Sequence, residues 1–163
     1  MNIRKIFFKN ENNGIIKSVS VYFSEKHSQI IIAPIFADSI GGYNYEQNEC
    51  EVIEMSSSNE FIGEAIKRNF DKFSIKENKK DKQKKSDWPS FKASNEKTII
   101  GFEKNYKRFS ISGANDYNLI LIIESNFNDL SQIELISSIS YHCDNSELGK
   151  RMKVIFNSEV CNK

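Results

Sequence analysis

The chain predicts an α+β fold built as two pseudo-repeats, each an antiparallel β-sheet unit followed by one amphipathic helix, packed as one domain over residues 1–163. Three observations lead there. Short β-branched and aromatic segments are bounded by Gly, Asn, Asp and Ser, the pattern of strands and turns. Two stretches, SNEFIGEAIKRNF at 58–70 and DNSELGKRMKVIF at 144–156, carry apolar residues at helical spacing and match each other at an offset of 86 residues. Strand segments precede each helix in a similar order, and agreement across levels is stronger evidence than a count of identities. The repeats cover approximately 15–73 and 97–158, joined by a Lys-rich linker at 74–96.

At 163 residues and 39% apolar content, the chain can bury one core without metal or disulfide staples. The opening MNIRKIFF has a basic pair but too short an apolar run for a signal-peptide core. In the first unit, KSVSVYF from Lys17, SQIIIAPIF from Ser28 and CEVIEM from Cys50 read as strands. The helix that follows aligns Ile62, Ile66 and Phe70 in one stripe, and Ser57 before Glu60 fits a capping pattern. The linker includes KENKKDKQKKSDWPSFK, whose first ten residues hold six lysines against two acids, a solvated composition. Trp88, the only tryptophan, is read as the anchor where the chain rejoins the core. In the second unit KTIIGFE from Lys97, KRFSIS from Lys107, YNLILIIE from Tyr117 and IELISSISY from Ile133 lead to a helix with Leu148, Met152 and Phe156 in register, opened by Asp144 and Glu147. The segments after Lys17 and Lys97 share a spacing, Ser18 to Tyr22 and Thr98 to Phe102, that fits a strand or a short helical turn equally. Gly63 and Gly149 occupy matching positions, where they are expected to let each helix approach its sheet.

The three cysteines, Cys50, Cys143 and Cys161, lack metal-knuckle spacing and are odd in number, which favours a reducing, cytoplasmic compartment. The longest apolar runs are strand-sized, so no membrane partner is expected. Net charge is +1, yet the charges are segregated. Residues 27–66 hold seven acids and no Lys or Arg, and residues 109–149 hold six acids and no basic residue.

Catalytic constellations are not evident. His142 and Cys143 are merely adjacent, and His27 is distant in sequence. Ser94 to Lys97 matches Ser-x-x-Lys only superficially, in a polar segment. Gly41 and Gly42 lack the strand-then-helix setting of a phosphate loop. Glu60 and Glu64 are one helical turn apart, but Glu60 belongs to a first turn, where acids stabilise the dipole. No catalytic residue, metal ligand or cofactor is therefore assigned.

The acidic zones point to a protein partner. Asp38, Tyr43, Tyr45, Glu46 and Glu49 in one loop region, and Asp116, Tyr117, Glu124, Phe127 and Asp129 in the other, combine negative charge with aromatic anchors suited to a basic protein. Lysines near Trp88 and Tyr106 have the basic-plus-aromatic character of nucleic-acid binders. The acids on the sheet segments would repel phosphate, so nucleic acid is the disfavoured partner.

These features, with SVSVY from Ser18, NEFIGEAI from Asn59, WPSFKAS from Trp88, TIIGF from Thr98 and SELGKRM from Ser146, resemble the immunity proteins of contact-dependent growth inhibition systems. The resemblance implies a non-enzymatic protein that binds the toxic C-terminal domain of a delivered effector. The two related halves already hold the symmetry a homodimer would supply, so a monomer apart from the complex is expected. The implied toxin is a basic nuclease, with an RNase of the EndoU type as the expected class. An analogy with the Whirly architecture keeps a single-stranded nucleic-acid-binding module as the alternative.

Overall fold

The computed structural model describes residues 16–39, 43–77, 84–115, 117–124 and 134–158. Strands β1 (Ser18–Ser24), β2 (Gln29–Asp38), β3 (Asn44–Glu46) and β4 (Glu51–Glu54) lead into helix α1 (Asn59–Asp71). A short strand β5 (Ser74–Lys76), a 3₁₀ turn (Lys85–Asp87) and two short helices, α2 (Pro89–Ala93) and α3 (Ile99–Asn105), follow. Strands β6 (Lys107–Gly113), β7 (Asn118–Glu124) and β8 (Glu134–Ser140) then lead into helix α4 (Asn145–Phe156). The described strands form an open sheet in the order β3-β2-β1-β6-β7-β8, with β4 and β5 also pairing β2.

All pairings are antiparallel except that of β5 with β2. Pro34, which has no amide to donate, sits where β2 changes neighbours: Gln29 to Ile32 pair with β4, and Ile35 to Ala37 pair with β3. The unbroken apolar run of β2 follows from burial on both faces. Ile30 and Ile32 enter the main core, whereas Ile31 and Ala33 enter a second cluster.

The main core lies between one sheet face and the pair α1 and α4. Val21, Phe23, Phe109 and Leu121 meet Ile66 and Met152 there, with Phe23 stacked on Phe156 at 5.2 Å. The stripes read from helical spacing, Ile62, Ile66 and Phe70 in α1 and Leu148, Met152 and Phe156 in α4, are all buried. The two glycines act otherwise than expected. Each meets the other helix rather than the sheet: Gly63 packs on the backbone of Asn145, and Gly149 on that of Asn59. The cap of α1 also falls one residue later than Ser57. Ser58 accepts from the Phe61 amide at 3.2 Å, while Asp144 at the start of α4 makes no side-chain capping bond.

The two segments with matching Ser/Thr-x-x-x-aromatic spacing part company. Ser18–Ser24 is a strand, and Ile99–Asn105 is a helix capped by Thr98, whose Oγ1 accepts from Gly101 at 3.0 Å. The strand paired with β1 in the sheet centre is β6. Within 74–96, β5 extends the sheet, and Trp88, Phe91 and Ala93 pack on the second cluster with Tyr22, Ile31 and Phe102.

Candidate functional site

Strand periodicity dictates the surface opposite α1 and α4. With Val19, Val21, Phe109 and Ile111 turned into the main core, their neighbours Ser18, Ser20, Tyr22, Arg108, Ser110 and Ser112 share the other face. The register sets them directly opposite one another: Tyr22 faces Arg108, Ser20 faces Ser110 and Ser18 faces Ser112. The segment carrying α2 and α3 covers the Tyr22 end. The remainder is the floor of a groove of about 740 Å³, flanked by Tyr43, Tyr45, Glu46, Trp88 and Ile122.

Glu46 is locked into the groove wall. It is 8% exposed. The Tyr22 hydroxyl donates to Oε1 at 2.6 Å, and Ser90, in the first turn of α2, donates through both its amide and its hydroxyl at 2.9 Å. Donors of this kind replace the water that burial removes from a carboxylate. Burial, followed by the charge of Glu46, pushes the Tyr22 phenol far above its ordinary range, so it remains a donor. The same two causes push the Cys50 thiol up to about 12, which leaves it protonated and unreactive. Arg108 lines the same groove and donates through Nη2 to Ser20 Oγ at 3.1 Å.

A second polar cluster ties the β1–β2 turn to α3. Glu96 Oε1 accepts from Lys26 at 2.8 Å and from Asn105 at 2.7 Å, and lies 2.6 Å from His27 Nε2. These partners, Lys26 foremost, hold the Glu96 carboxyl down to about 2. The His27 ring stacks on Tyr106. His142, beside Tyr117 and Tyr141, belongs to another part of the molecule. Ser94 ends α2 and donates to the Phe91 carbonyl at 2.7 Å.

The structure separates the residues that charge segregation had grouped. Tyr43, Tyr45 and Glu46 line the groove. Tyr45 is buried and stacks on Phe36, and Asp38 is buried at the end of β2. Neither Asp38 nor Glu46 therefore stands out on a solvated acidic loop, because β3 folds back on β2 and draws both inward. Glu49 is exposed. Tyr117 is exposed at 65% but does not line the groove. Glu124 ends β7, and Asp116, Phe127 and Asp129 lie outside the described residues. Other acids of the same zones are spent on internal pairs: Glu51 and Glu64 with Arg68, and Glu147 with Arg151. Charge counting missed Arg108 and the four serines. The alternation in SVSVYF and RFSIS was the signal that could have found them.

Among the described residues, no group of three or more His, Cys, Asp and Glu side chains could hold a metal ion, and no helix is long and apolar enough to cross a membrane. No family model matches the chain, and no curated protein matches it in sequence. Solved structures similar in fold include the following two. A protein of unknown function from Neisseria meningitidis superposes with a TM-score of 0.65 at 13% identity, over 88% of this chain and 94% of that one. A chain of a CdiA-CT/CdiI toxin and immunity complex from Yersinia pseudotuberculosis superposes with a TM-score of 0.57 at 12% identity, over 86% of this chain and 95% of that one.

Proposed function

We propose that this chain is an immunity protein that binds and neutralises the nuclease toxin domain of a contact-dependent growth inhibition effector in the cytoplasm. The observation that carries the reading is the fold likeness, over 86% of the chain, to a chain from a toxin and immunity complex. The groove adds support: it is large enough to receive side chains of a partner, and its Tyr and Trp rim is the kind that anchors interfaces. In this reading the chain is a stoichiometric inhibitor, not an enzyme. The acid and the phenol in the groove are engaged with each other, which leaves neither as a free general base.

This reading predicts an effector gene beside that of this chain, and the test is titration calorimetry against the C-terminal toxin domain of that effector, paired with an RNA cleavage assay. One-to-one binding with loss of cleavage is expected, and an EndoU-type RNase is the first class to try. Absence of binding at low salt sinks the proposal.

A further inference from the structure

Resting on the toxin-binding reading, we propose that the toxin seats a bulky apolar side chain against Trp88 and Tyr43 in the groove, and that the buried Glu46 sets this seat by holding α2 on β3, without meeting the toxin itself. The aromatic lining comes from two separate elements. Tyr45 belongs to β3 and Tyr43 directly precedes that strand, whereas Trp88 is the N-cap residue of α2. β3 is a strand of three residues paired with β2, and α2 is a helix of five, so neither fixes its own position through length alone. Their relative placement depends on what joins them.

Glu46 joins them. Ser90 of α2 donates its amide to Glu46 Oε2 and its hydroxyl to Oε1, both at 2.9 Å, and Tyr22 of β1 donates to Oε1 at 2.6 Å. Ser90 is fully buried and does not line the groove. Both carboxylate oxygens are thus engaged by donors of the same chain, and two of those donors lie on the residue two positions along from Trp88. Composition pointed the charge of Glu46 at a basic toxin. Its bonding makes it a positioning residue that acts on the partner through Trp88.

The shape of the seat suits a large side chain. Trp88 is half-buried, packed on the cluster that holds Tyr22, Ile31 and Phe102, so the surface it offers is already fixed in orientation. A ring held in this way gives contact area at little further loss of side-chain freedom. Tyr43 is 48% exposed, and Ile35 and Ile122 add apolar surface to the same lining. The short side chains of Ser18, Ser20, Ser110 and Ser112 keep the floor low, which leaves room for an occupant. Serine hydroxyls rotate to donate or to accept, so they match the backbone polar groups that accompany a projecting side chain. The occupant that fits is a Leu, Met or aromatic side chain on a projecting part of the toxin domain.

The test uses the full chain and the same toxin domain. Tyr43→Ala and Trp88→Ala should each weaken toxin binding by at least about thirtyfold. Trp88 also packs on a core cluster, so thermal unfolding accompanies the variants, and Trp88→Phe, which should keep part of the affinity, replaces Trp88→Ala if that variant does not fold. Ser90→Ala removes one bond to Glu46 from outside the groove lining and should lower affinity about tenfold. In the Trp88→Phe background the same change should cost less, because both act through one ring. Glu46→Gln should lower affinity and leave the salt dependence of the association rate at its native value, since its charge does not face the partner. Trp88 is the only tryptophan, so its emission in the free chain reports its setting and should shift to the red in Ser90→Ala and Glu46→Gln. Native affinity in Tyr43→Ala and in the Trp88 variant overturns the seat while leaving the immunity reading standing. Unshifted emission, a flattened salt dependence in Glu46→Gln, or effects of Ser90→Ala and Trp88→Phe that add in full overturn the positioning role. A dimer of this chain that Tyr43→Ala dissolves overturns the proposal in favour of a second copy. Failure of the native protein to bind the toxin removes the immunity reading as well.

Discussion

Gly63 in α1 lies so close to Asn145 at the start of α4 that a Cβ built on the glycine would stand 1.9 Å from the asparagine carbonyl oxygen. The relation is reciprocal: a Cβ on Gly149 would stand 2.0 Å from the carbonyl oxygen of Asn59. Since residue 59 meets 149 and 63 meets 145, the helices run antiparallel, and each glycine makes room for the first turn of the other helix.

Gly63→Ala and Gly149→Ala should therefore each destabilise the fold. Alanine gains about 1 kcal/mol of helix propensity over glycine. A contact below van der Waals range with backbone cannot be relieved by a rotamer change, so the helices must separate and the core beneath them loosens. A net loss of at least about 2 kcal/mol is expected for each. Urea unfolding of both variants checks it, and an unchanged or raised midpoint contradicts the helix-on-helix account.

The same helix pair is tied by two lysines. Lys153 donates to the Ser57 carbonyl at 2.8 Å, and Lys67 donates to the carbonyl of Cys143, each reaching the segment before the opposite helix. Lys153→Met and Lys67→Met retain the aliphatic stems and remove the bonds. Each should cost about 1 kcal/mol, and the double variant should cost about the sum, because the sites share no partner. Equilibrium unfolding of the three variants measures this.

Tyr22→Phe deletes a hydrogen bond to a buried carboxylate and should destabilise by about 1.5–3 kcal/mol. With Glu46→Gln already present, the same change should cost less, since the acceptor has lost its charge. A double-mutant cycle in denaturant reads the coupling, and additive effects would place the two groups out of contact.

Glu96 supplies a pH dependence whose direction follows from its partners. Its folded carboxyl is held at about 2 against an ordinary 4.5. Its stabilising contribution is thus fully present above the unfolded value and is lost as pH falls through that interval. Glu96→Gln should lower the urea midpoint near neutral pH, and the gap from the native protein should close as the solution is acidified below the unfolded value. A gap independent of pH would show that the carboxylate charge is not what joins the β1–β2 turn to α3.

A good part of the architecture was legible in the chain. The alternation in SVSVYF placed Val19 and Val21 on one face, and the spacing of Ile62, Ile66 and Phe70 marked the buried stripe of α1, because burial acts residue by residue along a regular element. The segment KTIIGFE was ambiguous in isolation. Its apolar residues suit either period, and Phe102 settles as a helical residue through packing on Tyr22, Phe91 and Tyr106. The candidate site was less legible for the same kind of reason. Glu46 looked like one more acid in a lysine-free stretch, yet its donors come from Tyr22 and Ser90, 24 and 44 residues away. Local periodicity specifies which face of each element is apolar, since that depends on neighbours three or four positions along the chain. Which polar groups are buried together, and which cation faces the groove, depends on strand register and helix docking between distant segments, and those exist only once the chain has closed on itself.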